Sequence, residues 1–509
     1  MKINIYYEKK NIEFIGKLYL STKLINLKEI KEVNLGFYKP LIFKFLSELD
    51  NKKNVLNLYK DYWKNTEIFF DLANLFGQKY YINHEEDYLV FHKEIIKKTA
   101  KMRFMSKFHF KNVDGIFCLS NQIKNEYIKS LKLLSKKYEI TGDLRYSFLN
   151  LVKAKGHFQG NLKKKFTLIS LHSEIFRSRF RFMKRTKFEP KKLKHRQFTG
   201  YTNLDEQLLY DYTKEYLRLA IKVIKDNPEM KFLIRPYPSE NEFLRYYKMI
   251  FKKYKNVTID INSDIFYCLK NSNQTFCPPD NVSLESLMMG NFTYTYYDPT
   301  NPVHKYIFKD HPFVKMFKKN FFKNKKELGK ILLDKKKYLD NTNQKIIYKM
   351  YGLENNAFEL IPNIFKKSLK KSIRKENYFI KLKKFLVSYA LKKILKVIRD
   401  DIKKENYSSD SYHKFKKKFK FSLSRIIMFF VFDKTSSRLD LINIIYKYCI
   451  GRNFIDHSVL ENKGDLYNMN MKEIKDILKF YKIKFSKNIK IRLNKKNNIL
   501  TLYKVSQFK

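Results

Sequence analysis

Three short stretches of this 509-residue chain carry side chains that could do chemistry. Glu85 and Glu86 lie between His84 and Asp87, directly after the short run Tyr80–Asn83. Adjacent carboxylates repel one another and raise each other's pKa, which suits a general base taking a proton from a hydroxyl. An acidic helix start is the plainer alternative, because carboxylates favour the positive end of a helix dipole. The second stretch, Arg235-Pro236-Tyr237-Pro238-Ser239-Glu240-Asn241, closes the apolar run Lys231–Ile234. Its two prolines stiffen a loop that could hold the Arg235 guanidinium against a phosphate, with Ser239 capping the next helix. A simple strand-to-helix turn, with Arg235 paired to a carboxylate, would use the same residues.

The third stretch runs from Cys277 to Asn291. Pro278 and Pro279 stop a strand, a helix opens at Asp280 or Asn281, and Gly290 ends it. N–H groups at such a helix start bind phosphate, the Ser283 hydroxyl adds a donor, and Glu285 can accept hydrogen bonds from a ribose diol. A capped crossover helix with a dipole-paired glutamate is the competing explanation. His172, just after Phe166–Leu171, would face the same place, although a lone histidine is more often structural. Thr141-Gly142-Asp143-Leu144-Arg145 reads as a glycine turn with an Asp–Arg pair, and Tyr296–Pro302 as a loop.

Residues of these types act together only if strands bring their ends to one place. Met1–Tyr7 alternates as a first strand. Lys53–Tyr59, Glu67–Asp71, Tyr80–Asn83, Gly115–Leu119 and Tyr138–Thr141 follow as short apolar runs between longer amphipathic ones. After the basic stretch Lys153–Lys165 the rhythm restarts with Phe166–Leu171, Lys231–Arg235, Val257–Ile261, Gln274–Cys277 and Phe292–Tyr297. This is the rhythm of parallel α/β sheets. It predicts two Rossmann-like doubly wound domains, 1–160 and 161–352, facing across a cleft, with ligands beyond the carboxyl ends of the strands. No proline follows Pro362, so 353–509 is expected to be a basic, mostly helical extension. Met471–Phe480 suggests a helix within it, and Ile489–Val505 a hairpin turning at Lys495–Asn498.

The formal charge is +56, yet 44% of residues are apolar, too many for a disordered polycation. Lys, Ile, Asn, Phe and Tyr dominate together, as an AT-rich genome favours, so part of the charge is compositional. No RNA- or zinc-finger-type pattern concentrates it in one module, which argues against a nucleic-acid-binding protein. Cys118, Cys268, Cys277 and Cys449 lie far apart, with no metal-ligand spacing, and fit a reducing cytoplasm. The most apolar run, Ile426–Phe432, is far short of the roughly 20 residues of a membrane span.

Taken in order, Glu85-Glu86-Asp87, the TGxxR turn Thr141–Arg145, the Arg235-Pro-Tyr-Pro-Ser-Glu segment and the Ser283-Leu-Glu285 helix ending at Gly290 resemble the bacterial surface-carbohydrate biosynthesis proteins. These are related more loosely to Kdo transferases, bacterial sialyl- and polysialyltransferases and teichoic-acid glycerophosphotransferases, all of the two-domain GT-B type. The resemblance covers roughly residues 1–350. It implies a glycosyltransferase of surface polysaccharide biosynthesis that uses a nucleotide-sugar donor and a glycan or lipid-linked glycan acceptor, with no metal or other cofactor. By the same resemblance Glu86 or Glu85 is the base, Arg235 and Ser283 contact the donor phosphate and Glu285 holds the ribose, while Tyr237, Ser239, Asn281 and His172 are further candidates for the donor site by their places at the strand ends. Asp87 stands where the family has glycine, and Tyr237 where it has a histidine on the donor phosphate. A catalytically silent relative is therefore the alternative. The basic tail suits residence on an anionic cytoplasmic leaflet, with Lys416, Lys417, Lys418 and Lys420 as the expected contacts; the alternative is a tail packed on the two Rossmann-like domains, its lysines solvated and its phenylalanines core, and both can hold together.

Overall fold

The computed structural model describes residues 1–7, 10–49, 55–59, 67–83, 113–121, 137–155, 166–171, 203–236, 244–260, 265–308, 321–324, 354–369, 377–403, 422–432, 471–480, 485–494 and 499–505, with isolated positions between them. The strands are β1 (Lys2–Tyr7), β2 (Glu32–Phe37), β3 (Val55–Tyr59), β4 (Lys79–Asn83), β5 (Gly115–Cys118), β6 (Tyr138–Ile140), β7 (Phe166–Ser170), β8 (Phe232–Arg235), β9 (Val257–Ile259), β10 (Ser272–Cys277), β11 (Phe292–Tyr296), β12 (Phe321–Phe322), β13 (Ile489–Asn494) and β14 (Ile499–Lys504). The helices are α1 (Lys10–Ile25), α2 (Tyr38–Ser47), α3 (Glu67–Leu75), α4 (Leu144–Lys155), α5 (Asn203–Asp226), α6 (Leu244–Phe251), α7 (Ile265–Asn271), α8 (Asn281–Met288), α9 (Pro302–Phe308), α10 (Ala357–Leu369), α11 (Tyr378–Lys403), α12 (Leu423–Phe432) and α13 (Met471–Phe480). Among the described residues no helix is long and apolar enough to cross a membrane.

The chain divides into two compact units. In the first, the sheet order is β13-β14-β2-β1-β3-β4-β5-β6. β2 through β6 and β1 are parallel, while β14 runs antiparallel to β2 and β13 antiparallel to β14. One face carries polar side chains that alternation alone would send to water. Instead they join across the strands. Asn34 donates to Asn4 at 3.0 Å, Asn4 to Asn57 at 2.9 Å, and Asn57 to Gln78 at 3.1 Å, all buried. Each amide in register satisfies the next, so burial leaves no orphaned group along the ladder.

The described residues from 352 onward belong to this first unit rather than to a third one. Gly142 (φ +75°) meets the returning chain so closely that a Cβ there would lie 2.8 Å from the Gly352 carbonyl oxygen. α10 then packs on the sheet, with Phe358 against Tyr19 and Phe148, and Phe365 against Tyr81 and Phe117. Ser368 completes the seam, accepting from Lys79 and Tyr81. The hairpin closes the open edge of β2. It leaves Lys490 and Arg492 exposed on the new edge strand, where charge discourages further pairing.

Glu67–Asp71 is helical, not the expected strand. Every residue from Ile68 to Ala73 is buried, so burial here follows neither a strand nor a helix period and the run alone does not distinguish the two. β2 escapes a sequence reading because Asn34 and Gly36 interrupt it.

The second unit holds a six-stranded sheet in the order β12-β11-β10-β7-β8-β9, every pair parallel. Renumbered within the unit this is 6-5-4-1-2-3, the doubly wound Rossmann order. Its core gathers Tyr212, Tyr216, Ile224, Ile234, Tyr247, Phe276 and Tyr296 between sheet and helices.

Candidate functional site

In the second unit the chain moves outward from β7 to β8 and β9, then crosses back to β10. The reversal lies between β7 and β10, and in an open parallel sheet ligands sit beyond the carboxyl ends of the strands at that point. Three segments reach it or border it: Leu171 after β7, Arg235-Pro236 at the end of β8, and Cys277 to Asn281 after β10.

The segment after β10 is built by local rules. Pro278 and Pro279 cannot continue a ladder, and Asp280 takes an extended conformation (φ −148°, ψ −175°) as N-cap of α8. Its carboxylate accepts from the Ser283 N–H at 3.0 Å, and its own N–H reaches the Ser283 hydroxyl at 3.3 Å. At the other end Gly290 (φ +82°) lets the chain reverse, with Asn291 N donating to Ser286 O and Gly290 N to Leu287 O, each at 3.0 Å. A hydroxyl chain seats the helix on its sheet: Thr293 donates to Ser286 at 2.7 Å and Ser286 to Thr275 at 2.8 Å.

This geometry qualifies two of the expected contacts. The Ser283 hydroxyl proton goes to the Asp280 carbonyl at 2.6 Å, so a phosphate would receive it only after the hydroxyl turns. Glu285 is fully buried, so a ribose reaches it only if the residues covering it move. Asn281, half-buried, opens the helix as expected. Burial, reinforced by the Asp280 charge, pushes the Cys277 thiol well above its usual range and keeps it neutral.

Arg235 presents a different situation. Only 4% of it is exposed, yet among the described residues its guanidinium makes no ion pair. Nη1 donates to the Ser263 carbonyl at 2.5 Å and lies 3.7 Å from Cys268 Sγ. Burying a permanent cation with only neutral partners is costly unless an anion supplies the missing charge.

A neighbouring cluster escaped the sequence reading. His304 of α9 is fully buried between the rings of Tyr212 and Tyr296, each 5.0 Å away. Its Nδ1 accepts from Asp298 N at 2.8 Å, which leaves the proton on Nε2, 3.8 Å from Glu215. The nearby His304 is the main cause that holds Glu215 below the usual carboxylate range, against the effect of its burial. Sealed in this way, His304 fixes the loop after β11 rather than meeting a ligand. In the first unit, Asp143 caps α4 by accepting from Arg145 N at 2.7 Å and Tyr146 N at 3.1 Å, so the TGxxR turn is a helix start. His172, Tyr237, Ser239, Glu85, Glu86 and Asp87, and of the tail lysines Lys416 and Lys420, lie outside the described residues.

The strand orders define an α/β chain of two units, each built on a sheet with a parallel core, as the sequence reading expected. No protein-family model matches the sequence, and no curated protein matches it. Among solved structures the fold is similar to Methanocaldococcus jannaschii UDP-GlcNAc 2-epimerase in complex with UDP-GlcNAc and UDP, at 13% identity and TM-score 0.44 over 72% of this chain and 100% of that one. It is also similar to the S. aureus MnaA–UDP co-structure (12%, TM-score 0.42, 74% and 99%) and to the wall teichoic acid polymerase TagF (10%, TM-score 0.39, 73% and 89%).

Proposed function

We propose that this chain is a glycosyltransferase of surface polysaccharide biosynthesis, moving a sugar from a nucleotide-sugar to a hydroxyl of a free or lipid-linked glycan. The observation that carries this reading is Arg235, a buried cation that makes no ion pair among the described residues, one strand from the point where a Rossmann sheet takes its ligand. A donor diphosphate supplies the missing charge. On this reading Arg235 and the N–H groups at the start of α8 neutralise the departing phosphate, and Glu85 or Glu86 takes the acceptor proton as its oxygen attacks the anomeric carbon. No metal enters the proposed chemistry, and the chain contains no Asp-X-Asp sequence.

Calorimetric titration with UDP, CDP and CMP tests the donor site. Arg235→Ala and Glu285→Ala should each weaken the nucleotide that binds at least roughly tenfold, as expected for losing a charge-assisted bond of about 1.5–3 kcal/mol. Unchanged affinity in both variants would remove the placement. A catalytically silent relative is the second reading, favoured by the mutual engagement of Asp280 and Ser283, the burial of Glu285, and Tyr237 in place of a histidine. Nucleotide binding without turnover of any nucleotide-sugar would select it.

A further inference from the structure

α11 carries apolar residues on two opposite sides. Val387, Ala390, Leu391, Ile394, Leu395 and Ile398 are buried and form the side by which the helix packs against α2 and α12. Tyr378, Leu382, Phe385 and Tyr389, spaced four, three and four residues apart, line the other side, and Phe379 stands beside them. Their exposure runs from 39% at Tyr389 to 74% at Tyr378. A helix packed by one stripe ordinarily turns polar residues outward, so a second apolar stripe marks a surface made for contact. The neighbouring α12 adds exposed Leu423 and Ile426.

The surroundings of the stripe select its partner. Lys381, Lys383, Lys392, Lys393 and Lys396 are exposed along it, and no acidic residue occurs on the helix before Asp400. A second copy of the chain, itself charged +56 and carrying the same lysines, would be repelled. A nucleic acid would meet the lysines but leave Leu382 and Phe385 against its phosphates. A bilayer surface accommodates all of them, with Leu and Phe below the headgroups, Tyr at their level and the lysines among anionic phosphates.

We propose that the first half of α11, about 17 Å from Tyr378 to Tyr389, is a docking face that lies in the interface of an anionic lipid bilayer. This moves the contact away from the stretch around Lys417 and Lys418, where Phe415 and Phe419 are buried. The proposal is independent of the transferase reading, because its test measures binding alone.

Sedimentation of the full chain with vesicles decides it. The protein should pellet with phosphatidylcholine–phosphatidylglycerol vesicles, pellet less as salt rises, and stay in solution with phosphatidylcholine alone. The double variant Leu382→Ser with Phe385→Ser, at exposed positions, should melt like the parent and bind roughly tenfold more weakly. Lys392→Glu with Lys393→Glu and Lys396→Glu should do the same, whereas Lys417→Glu with Lys418→Glu should bind nearly as the parent does. Equal binding to neutral vesicles, or parent-like binding by the Leu382/Phe385 variant, overturns the proposal. So does a parent that is dimeric in solution and becomes monomeric in that variant, which would make the stripe an interface between copies.

Discussion

Asp280 and Ser283 close on one another at the start of α8, the carboxylate taking the Ser283 N–H while the Ser283 hydroxyl gives its proton to the Asp280 carbonyl. A negative cap thus occupies a place where a phosphate would otherwise gather N–H groups. Asp280→Asn keeps a good capping oxygen but removes the charge. Its stability should stay within about 0.5 kcal/mol of the parent while nucleotide affinity rises. Asp280→Ala should instead cost about 1 kcal/mol. Thermal denaturation and nucleotide titration of the two variants separate capping from repulsion.

The amide ladder of the first sheet predicts a large effect from a substitution that is conservative in size. Asn57 accepts from Asn4 and Tyr6 and donates to Gln78. Asn57→Leu leaves these partners buried without their bonds, at about 1–3 kcal/mol for each group. Chemical denaturation should show a loss of at least about 2 kcal/mol. A parent-like midpoint would mean that the ladder contributes nothing.

Removal of residues 485–509 tests the role of the hairpin. β14 pairs with β2 from Ile499 opposite Gly36 to Tyr503 opposite Glu32, and Leu500 and Leu502 are fully buried. The truncated chain should expose the β2 edge and aggregate, as read by light scattering. The milder Leu502→Ala should stay soluble and lose about 2–5 kcal/mol.

Acid stability should depend on Glu32. Burial raises its pKa, but hydrogen bonds from Lys2 and Asn34, with the charges of Lys2 and Lys44, outweigh that and bring it below the ordinary 4.5. A carboxyl depressed in the folded state stabilises above its unfolded value, and that contribution is lost as pH falls through the folded one. Glu32→Gln should therefore be less stable than the parent at pH 7 and lose less on acidification below 4.5. Urea midpoints across that range check the sign.

Much of the framework was legible in the sequence because it rests on local signals. Short β-branched and aromatic runs marked most strands. Prolines followed by Asp and a later glycine bounded α8, and the polar break at 495–498 separated β13 from β14. Glu67–Asp71 is the start of a helix rather than a strand, because a short apolar run has no resolvable period.

The residues and their spacing by themselves determined the two parallel-sheet units, the capped helix after β10, and an arginine at the end of β8. Tertiary structure alone decided how they are used. The alternating Asn residues of β1, β2 and β3 became an internal ladder because strands distant in sequence came into register. The last residues of the chain returned to the first sheet because its β2 edge was open. Arg235 became a buried cation beside a carbonyl and a thiol because those neighbours come from residues about thirty positions away. Local sequence specifies backbone conformation through sterics and capping; burial, register and charge pairing depend on which distant segments meet.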